Sequence, residues 1–321
     1  MNINSKIYIA GHRGLVGSAL VRGLQEKGYQ NILGKSHAEL DLEDYPATLD
    51  YIQSEQPEYV IIAAAKVGGI YANNTYPVDF LMSNLAVEIN VIRAAYEAGV
   101  KRLIFLGSSC IYPKHAPQPI NESALLTSEL EPTNRPYALA KIAGIEMCWS
   151  YNRQHQTQYL AAMPTNLYGI GDNYHAKNSH VLPALIRKIH EAKQHGQEKV
   201  TLWGTGKPRR EFLFSDDLAA ALIHLLELTN EDFANLTNPE QCPLINIGCG
   251  KDVTIAELAT TIAEVIGYEG DFDFDLSKPD GTFQKLLDVS KIESRGWTAT
   301  TNLQQGVKVA YEDFLKNHAT D

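Results

Sequence analysis

The feature that most constrains the fold is a glycine-rich turn between an apolar strand and an amphipathic helix. Residues 6–10, Lys-Ile-Tyr-Ile-Ala, are typical of a buried strand, and a helical pattern runs from the turn to about Gly28. Glycines in such a turn let the backbone approach a pyrophosphate at the helix N-terminus. A turn that only reverses the chain is the alternative, and the strand–turn–helix context weighs against it. The predicted dinucleotide contacts are Gly11, His12, Arg13, Gly14, Leu15, Val16 and Gly17.

Strands and helices continue to alternate through the first half of the chain. Apolar runs indicate strands at 32–33, 59–64, 102–107 and 159–163, and helical patterns lie at about 83–98 and 136–153. Strands that are apolar along their whole length are typical of a parallel sheet covered on both faces. The predicted fold class is α/β, a Rossmann-type doubly wound parallel sheet with a smaller C-terminal α/β substrate-binding lobe.

The pattern changes near residues 166–180, where the composition shifts most sharply. We expect residues 1–167 to form the dinucleotide-binding domain, with return segments near 213–250, and residues 168–321 to form mainly the substrate lobe. Later helices are predicted at about 181–195, 216–228, 254–266 and 302–317, with a strand near 200–203 and an apolar run at 244–247 that could rejoin the main sheet.

The segment after the second strand indicates which dinucleotide is preferred. A site for NAD usually has an acidic residue there to bind the ribose 2′-hydroxyl. This chain has residues 34–37, Gly-Lys-Ser-His, at that place. Arg13 and Lys35, with His37 as a further candidate, could instead meet a 2′-phosphate. The sequence therefore predicts NADP(H) as the cofactor.

A tyrosine and a lysine four residues apart suggest carbonyl chemistry. Tyr137 and Lys141 lie on one face of a predicted helix, and Ser108 ends the strand at 102–107. A nearby cation is expected to lower the tyrosine pKa from about 10 toward a working range for proton transfer. Ser108 can hydrogen-bond the same carbonyl oxygen. An ordinary exposed Tyr–Lys pair is the alternative, and the glycine turn and the serine together weigh against it.

The glycine turn, Ser108, Tyr137 and Lys141 together resemble the extended short-chain dehydrogenase/reductase family, whose members act on nucleotide sugars. Family 4,6-dehydratases carry Asp-Glu where Ser109-Cys110 stand here, and 4-epimerases usually carry Ala-Thr. If the backbone stays extended, Cys110 and Ser108 face the same site, and the thiol is a plausible base for a carbon acid. A lone cysteine is more often an inert core residue, but this register favours function.

Longer blocks resemble the branch of the family that epimerises C3 and C5 of GDP-4-keto-6-deoxy-D-mannose and then reduces C4. They include 63–70, 107–114, 163–169, 178–181, 210–213 and 278–282. The resemblance implies Ser108, Tyr137 and Lys141 as reductase residues, Cys110 as base and His180 as acid. It implies further cofactor contacts at Asp41, Leu42, Ala64, Leu106, Gly107, Ser108, Ser109, Lys141, Pro164, Thr165, Asn166, Leu167 and His180. It implies substrate contacts at Lys188, Trp203, Arg210, Asp280 and Lys285.

Composition limits the partners. The 321 residues carry a formal net charge of −10, which argues against nucleic-acid or membrane binding. The four cysteines have no zinc spacing, so no metal is expected, and a cytoplasmic protein with reduced thiols is the plain interpretation. The resemblance also suggests a homodimer through the helices near 83–98 and 136–153. Two alternatives stay open: a 4-epimerase or 4,6-dehydratase of the same fold, and a catalytically silent NADP-binding regulator.

Overall fold

The computed structural model describes residues 1–175, 179–278 and 280–319, with the backbone only at residues 70 and 71. The strands are β1 (Ile7–Ala10), β2 (Ile32–Leu33), β3 (Tyr59–Ile62), β4 (Arg102–Leu106), β5 (Tyr159–Pro164), β6 (Asn166–Tyr168), β7 (Lys199–Trp203), β8 (Arg209–Phe214), β9 (Leu244–Ile247), β10 (Asp252–Thr254), β11 (Asp271–Asp275) and β12 (Gln284–Lys285). The helices are α1 (Leu15–Glu26), α2 (Tyr45–Glu55), α3 (Ile70–Thr75), α4 (Pro77–Glu97), α5 (Arg135–His155), α6 (Val181–Gln194), α7 (Ser215–Glu227), α8 (Asn230–Leu236), α9 (Ile255–Ile266), α10 (Ser290–Glu293) and α11 (Leu303–Asn317).

A six-stranded sheet in the order β2-β1-β3-β4-β5-β9 forms the centre of the molecule. Every neighbouring pair is parallel, and β1, β3, β4, β5 and β9 are buried along their whole length. Helix α4 packs against α2 and α5, and α1 packs against α7. The predicted doubly wound α/β fold is confirmed, and the run at 244–247 does rejoin the main sheet as β9.

A second apolar cluster lies under the smaller strands. It is built from α6, α9 and α11, with buried side chains that include Ile186, Ile262 and Phe314. Strand β8 pairs with β6, β10 and β12, and β7 pairs with β11. Because β6 follows β5 after one residue, the carboxyl end of the main sheet adjoins β8 of the second lobe.

Some elements were not predicted from the sequence, and some predicted boundaries were wrong. Helix α4 begins at Pro77 rather than near 83, because proline suits the first turn of a helix. Helix α2 was not predicted, although the Asp44 side chain caps it by accepting from the backbone N–H of Ala47 at 3.2 Å. Within the described residues, none of the helices is long and apolar enough to cross a bilayer.

Candidate active site

The glycine turn is shaped to receive an anion. Gly11 has a φ of +86°, and a Cβ at Gly17 would lie 2.1 Å from the Gly11 carbonyl oxygen, so the turn closes as tightly as glycine allows. Gly14 is the N-cap of α1, and among the described residues no side chain caps this end. The first N–H groups of α1 are therefore available to a phosphate. Leu15 and Val16 form the first turn of the helix, and their contacts with the cofactor stay predictions.

The neighbouring loops close around this turn. A Cβ at Gly11 would lie 2.7 Å from the Ala64 backbone nitrogen, so the segment after β3 lies directly against the turn. The His12 ring packs on Gly34, where a Cβ would be 2.4 Å from the imidazole Cγ. In the part of the chain that the structure describes, His12 Nδ1 is buried without a hydrogen-bond partner. A buried orphan atom beside an open helix N-terminus fits a dinucleotide site.

The basic residues expected near a 2′-phosphate gather around an acid that the sequence argument did not weigh. Glu39 accepts from the Ser36 N–H at 2.8 Å and from its hydroxyl at 2.5 Å. These hydrogen bonds lower the Glu39 pKa, with smaller contributions from Lys35 and Arg13. Lys35 Nζ lies 4.0 Å from Glu39 Oε1. The carboxylate thus holds the loop after β2 in shape, with Arg13 and Lys35 beside it.

The other residues predicted near the adenosine end have local structural contacts. His37 is largely exposed, with Nδ1 3.7 Å from Asp41 Oδ1. Asp41 also accepts from the backbone N–H of Glu43 at 2.9 Å. The Leu42 carbonyl accepts from the Asn90 side chain at 2.9 Å, which ties this loop to α4. Cofactor roles for His37, Asp41 and Leu42 stay predictions.

The carboxyl ends of β4 and β5 lie side by side in the same region. Leu106 and Gly107 follow one another there, and a Cβ at Gly107 would lie 2.2 Å from Met163 Cε. Beyond Pro164, the Thr165 hydroxyl and the Asn166 amide donate to the Glu211 carbonyl at 3.2 and 2.8 Å. Leu167 continues in β6. Loops at the carboxyl edge of a parallel sheet are where such folds bind ligands.

Ser108 and Cys110 lie close together because the chain turns after Ser108. An extended backbone was expected here, and this is wrong: residues Ser109–Ile111 form a single 3₁₀ turn with Ser108 as its N-cap. The Cys110 N–H donates to Ser108 Oγ at 3.5 Å. The turn forms because a serine at the cap can bind the free N–H groups that follow it. It brings the thiol back toward the hydroxyl.

Tyr137 lies in the first turn of α5, half-buried, with its ring edge-on to Phe80 of α4 at 6.2 Å between centroids. Burial raises the pKa of its phenol well above the usual range. The Cys110 thiol, when ionised, and Glu88 raise it further, and a hydrogen bond with Ser108 opposes them. The expected lowering by Lys141 is therefore not found. Burial outweighs it, and the charge of Lys141 is paired elsewhere.

The partner of Lys141 is Glu88 of α4, which the sequence argument missed. Lys141 Nζ lies 2.9 Å from Glu88 Oε1, and the two side chains are only 2% and 1% exposed. The ammonium also lies 4.7 Å from the centre of the Phe105 ring and 5.8 Å from that of Tyr137. A glutamate in a mostly apolar stretch of a predicted helix was the signal available in the sequence.

The Cys110 thiol is buried among cations. Burial raises its pKa, while Lys285, a hydrogen bond with Ser108, and Lys141 act in the opposite direction. Lys285 lies in β12, in register with Arg210 of β8. Burial lowers the pKa of Lys285, the charge of Cys110 opposes this, and Arg210 lowers it further. The charge of Lys285 therefore acts directly on the thiol.

Glu211 is a second buried acid that the sequence argument missed. Its Oε1 accepts from the Gly250 N–H at 2.7 Å and its Oε2 from the Leu287 N–H at 3.0 Å. Burial raises its pKa, and these backbone hydrogen bonds oppose the shift. Because it fastens β8 to the segment after β12, Glu211 fixes the neighbouring cations Arg210 and Lys285.

The remaining predicted site residues lie in the second lobe. His180 is the N-cap of α6 and keeps access to solvent, and desolvation by the surrounding protein lowers its pKa. Its role opposite Cys110 stays a prediction, and the segment just before it lies outside the described residues. Arg210 donates to the Arg209 carbonyl at 2.7 Å, and burial lowers its pKa.

Trp203 ends β7 with 72% of its surface exposed, so it is not a core residue. Lys188 of α6 donates to the Thr201 carbonyl two residues before it. Both carboxylate oxygens of Asp280 accept from Thr205, from its N–H at 2.9 Å and its hydroxyl at 2.7 Å. Asp280 therefore holds the turn that follows Trp203, and a direct substrate contact for it stays a prediction.

Comparison with known families identifies the chain's relatives. Residues 7–238 match the model of the NAD dependent epimerase/dehydratase family. The chain belongs to this family. The resemblance drawn from the glycine turn, Ser108, Tyr137 and Lys141 is thereby confirmed.

Individual relatives cover nearly the whole chain. GDP-L-fucose synthase 1 from Arabidopsis thaliana is 56% identical over 314 residues, 98% of this chain and 94% of the relative. GDP-L-fucose synthase from Escherichia coli K12 is 53% identical over 312 residues, 97% of each. A solved structure, MlghC, a GDP-mannoheptose C4 reductase from Campylobacter jejuni with NADP bound, is 40% identical with a TM-score of 0.89, covering 98% of this chain and 99% of that one.

Proposed function

We propose that this protein is an NADPH-dependent epimerase-reductase that converts GDP-4-keto-6-deoxy-D-mannose to GDP-L-fucose. The observation that carries the proposal is the buried Cys110 thiol beside Ser108, Tyr137 and a lysine, at the place where dehydratases of this family have a carboxylate. The relatives named GDP-L-fucose synthase, more than half identical to this chain, support it. A catalytically silent regulator would not need this thiol, serine and phenol together.

The epimerisation uses the acidity of the hydrogens beside the C4 ketone. Ser108 and Tyr137 donate hydrogen bonds to O4, where charge develops when either neighbouring proton leaves. Cys110 removes the protons at C3 and C5, favoured as thiolate by Lys285. His180 returns a proton from the opposite face. Each round breaks one C–H bond and makes another, so no net oxidation occurs, and solvent then takes the proton from Cys110 and restores one to His180 before the next round.

The reduction follows at the same carbonyl. NADPH, when bound, supplies the hydride that C4 receives. Tyr137 gives its phenolic proton to O4, so the ketone becomes an alcohol, and solvent restores the proton to the phenol. The raised pKa of Tyr137 keeps it in the proton-donating form that this step needs. Arg13 and Lys35 supply positive charge for a 2′-phosphate. The proposal places the reaction in the cytoplasm, where thiols stay reduced.

The test is to incubate the protein with the keto sugar nucleotide and NADPH, with NADH in parallel. We expect loss of NADPH absorbance, a slower reaction with NADH, and a product of inverted configuration at C3 and C5. No NADPH oxidation with any GDP-linked 4-keto sugar would refute the proposal. Reduction without deuterium entering C3 or C5 would instead make the protein a simple C4 reductase, as MlghC is named.

The substitution Trp203→Ala is expected to raise KM for the GDP-sugar about tenfold with little change in kcat. Its exposed ring can stack on guanine, and such stacking is worth ~1–3 kcal/mol per base. Steady-state kinetics at saturating NADPH measures it. Leu276→Ala is the matched control, because that side chain is equally exposed, at 73% against 72%. An unchanged KM in the tryptophan variant would remove Trp203 from the nucleotide site.

We also propose a homodimer formed through α4 and α5. Val78, Met82 and Ile89 project from one face of α4 and are 68%, 59% and 46% exposed, and Leu139 of α5 is 42% exposed. Aligned apolar side chains on a helix usually face a partner. Ile89→Lys is expected to yield monomers in sedimentation equilibrium, whereas Leu315→Lys on α11, 45% exposed in the wild type, should not. A wild-type monomer would contradict the proposal.

A further inference from the structure

The ion pair between Glu88 and Lys141 is buried at an unusual depth. Both side chains are almost fully enclosed between α4, α5 and β4. Taking two charges out of water costs several kcal/mol per ion, and apolar replacements of such pairs are often neutral or stabilising. The pair is therefore poorly explained by stability alone.

Gly144 of helix α5 leaves room for the Phe105 ring and for the Glu88 carboxylate beside it. A Cβ at Gly144 would lie 3.0 Å from Glu88 Oε2 and 2.3 Å from Phe105 Cζ, so only glycine leaves space there. A glycine inside a helix costs about 1 kcal/mol relative to alanine. Both Glu88 carboxylate oxygens are buried without a hydrogen-bond partner among the described residues, and Oε1 makes only the ion-pair contact with Lys141. The unpartnered carboxylate is therefore held next to Lys141 at a cost in stability.

This charge bears on the reacting phenol. Glu88 Oε1 lies 2.9 Å from Lys141 Nζ, which lies 5.8 Å from the centre of the Tyr137 ring. The carboxylate is thus within about 9 Å of that ring, close enough for its charge to act at the low effective dielectric of a buried site. A lone ammonium would favour the tyrosinate. A paired ammonium favours it much less.

We propose that Glu88 is a positioning residue for the C4 reduction: its carboxylate fixes the Lys141 ammonium beside Tyr137 and keeps the phenol in its protonated, donating form. The inference rests on the proposed function of the same site. An ammonium has three donors, so the ion pair with Glu88 leaves N–H groups of Lys141 for the cofactor ribose. Glu88 thereby sets the site for reduction, whereas an enzyme that oxidises its substrate needs a tyrosinate base.

The charged groups around Glu88 support this division of work. Burial raises the Glu88 pKa, and Lys141 opposes this shift; Glu88 in turn raises the pKa values of Tyr137 and Cys148. Burial is the larger cause of the raised pKa of Cys148, which therefore stays a thiol near neutral pH. Cys110 and Ser108 act on Tyr137 from the 3₁₀ turn. Removing the Glu88 charge should therefore act first on the Lys141 ammonium that it contacts, and through that ammonium on Tyr137.

The test compares Glu88→Gln and Glu88→Asp with the wild type by two measurements. The first is the pH profile of NADPH oxidation, with chemistry made rate-limiting by deuterated cofactor. We expect the alkaline limb to move about one pH unit lower in Glu88→Gln, and part of that distance in Glu88→Asp, because one nearby negative charge is lost or displaced. Val91→Ala, which removes buried volume from the same helix without changing a charge, should leave the limb in place.

The second measurement is ¹³C NMR of ring-labelled tyrosine, with Tyr137 assigned from Tyr137→Phe. Its phenol should ionise at lower pH in Glu88→Gln than in the wild type, with no substrate present. An unchanged Tyr137 signal and an unchanged alkaline limb, even with lower thermal stability, would overturn the inference. If Glu88→Gln does not fold, an unshifted Glu88→Asp would do the same. If Tyr137 ionises at lower pH in Glu88→Gln than in the wild type, but the wild type oxidises no NADPH, only the proposed function would be refuted.

Discussion

Replacing Cys110 with alanine is expected to abolish entry of solvent deuterium at C3 and C5 of the keto sugar while cofactor binding stays unchanged. The thiol is the base of the proposed epimerisation, and loss of a positioned base typically costs 10²–10⁴-fold in rate. Proton NMR of the sugar in deuterated buffer measures the exchange, and fluorescence of bound NADPH measures affinity. Burial raises the pKa of Cys110, so wild-type exchange should rise with pH as the thiolate forms.

The control is Cys242→Ala, because Cys242 is a free thiol outside the 3₁₀ turn that carries Ser108 and Cys110. Burial raises its pKa to about 11, so it is also a thiol near neutral pH, and its replacement should leave exchange unchanged. If Cys110→Ala exchanges as fast as the wild type, another group is the base. If exchange and cofactor affinity fall together, the residue supports the fold of the pocket instead.

The strands and the glycine turn could be predicted because each is encoded by a short, continuous stretch of sequence. The strands β1, β3, β4 and β5 are continuous apolar runs, and the glycine turn follows β1 directly, so both could be read from short windows of sequence. That Tyr137 and Lys141 share a helix face could also be predicted locally, because residues four apart lie on one side of a helix. Their predicted placement in one site with Ser108 needs only the parallel sheet, whose strands end at a common edge.

The unpredicted part depends on distant partners. Strand β12 is two residues long and exists only because it pairs with β8, and it brings Lys285 to the Cys110 thiol. Glu88 and Glu211 are both buried, and sequence alone does not reveal which donors and cations will meet them. The effect on Tyr137 could not be foreseen without them, since the sign of its pKa shift depends on burial and on the charge that offsets Lys141.

Tyr137→Phe is expected to lower the rate of C4 reduction by 10²–10⁴-fold while sparing deuterium exchange far more. The substitution removes the proton donor for O4, and general acids of this kind contribute that range. Exchange keeps its base, Cys110, and Ser108 can still hydrogen-bond the carbonyl oxygen as charge develops. Phenylalanine preserves the edge-on contact with Phe80. Single-turnover NADPH oxidation and proton NMR of the same samples give the two rates.

Tyr174→Phe separates this effect from the loss of any buried hydroxyl. The Tyr174 hydroxyl donates to the Ala310 carbonyl at 2.9 Å in the second lobe, so its removal costs one hydrogen bond, about 1 kcal/mol of stability, without touching the carbonyl site. Both rates should stay near the wild-type values in this control. Equal loss of exchange and reduction in Tyr137→Phe would mean that the phenol is needed already at enolisation. Ser108 alone would then be insufficient to hold O4, and the two half-reactions would share a single acid.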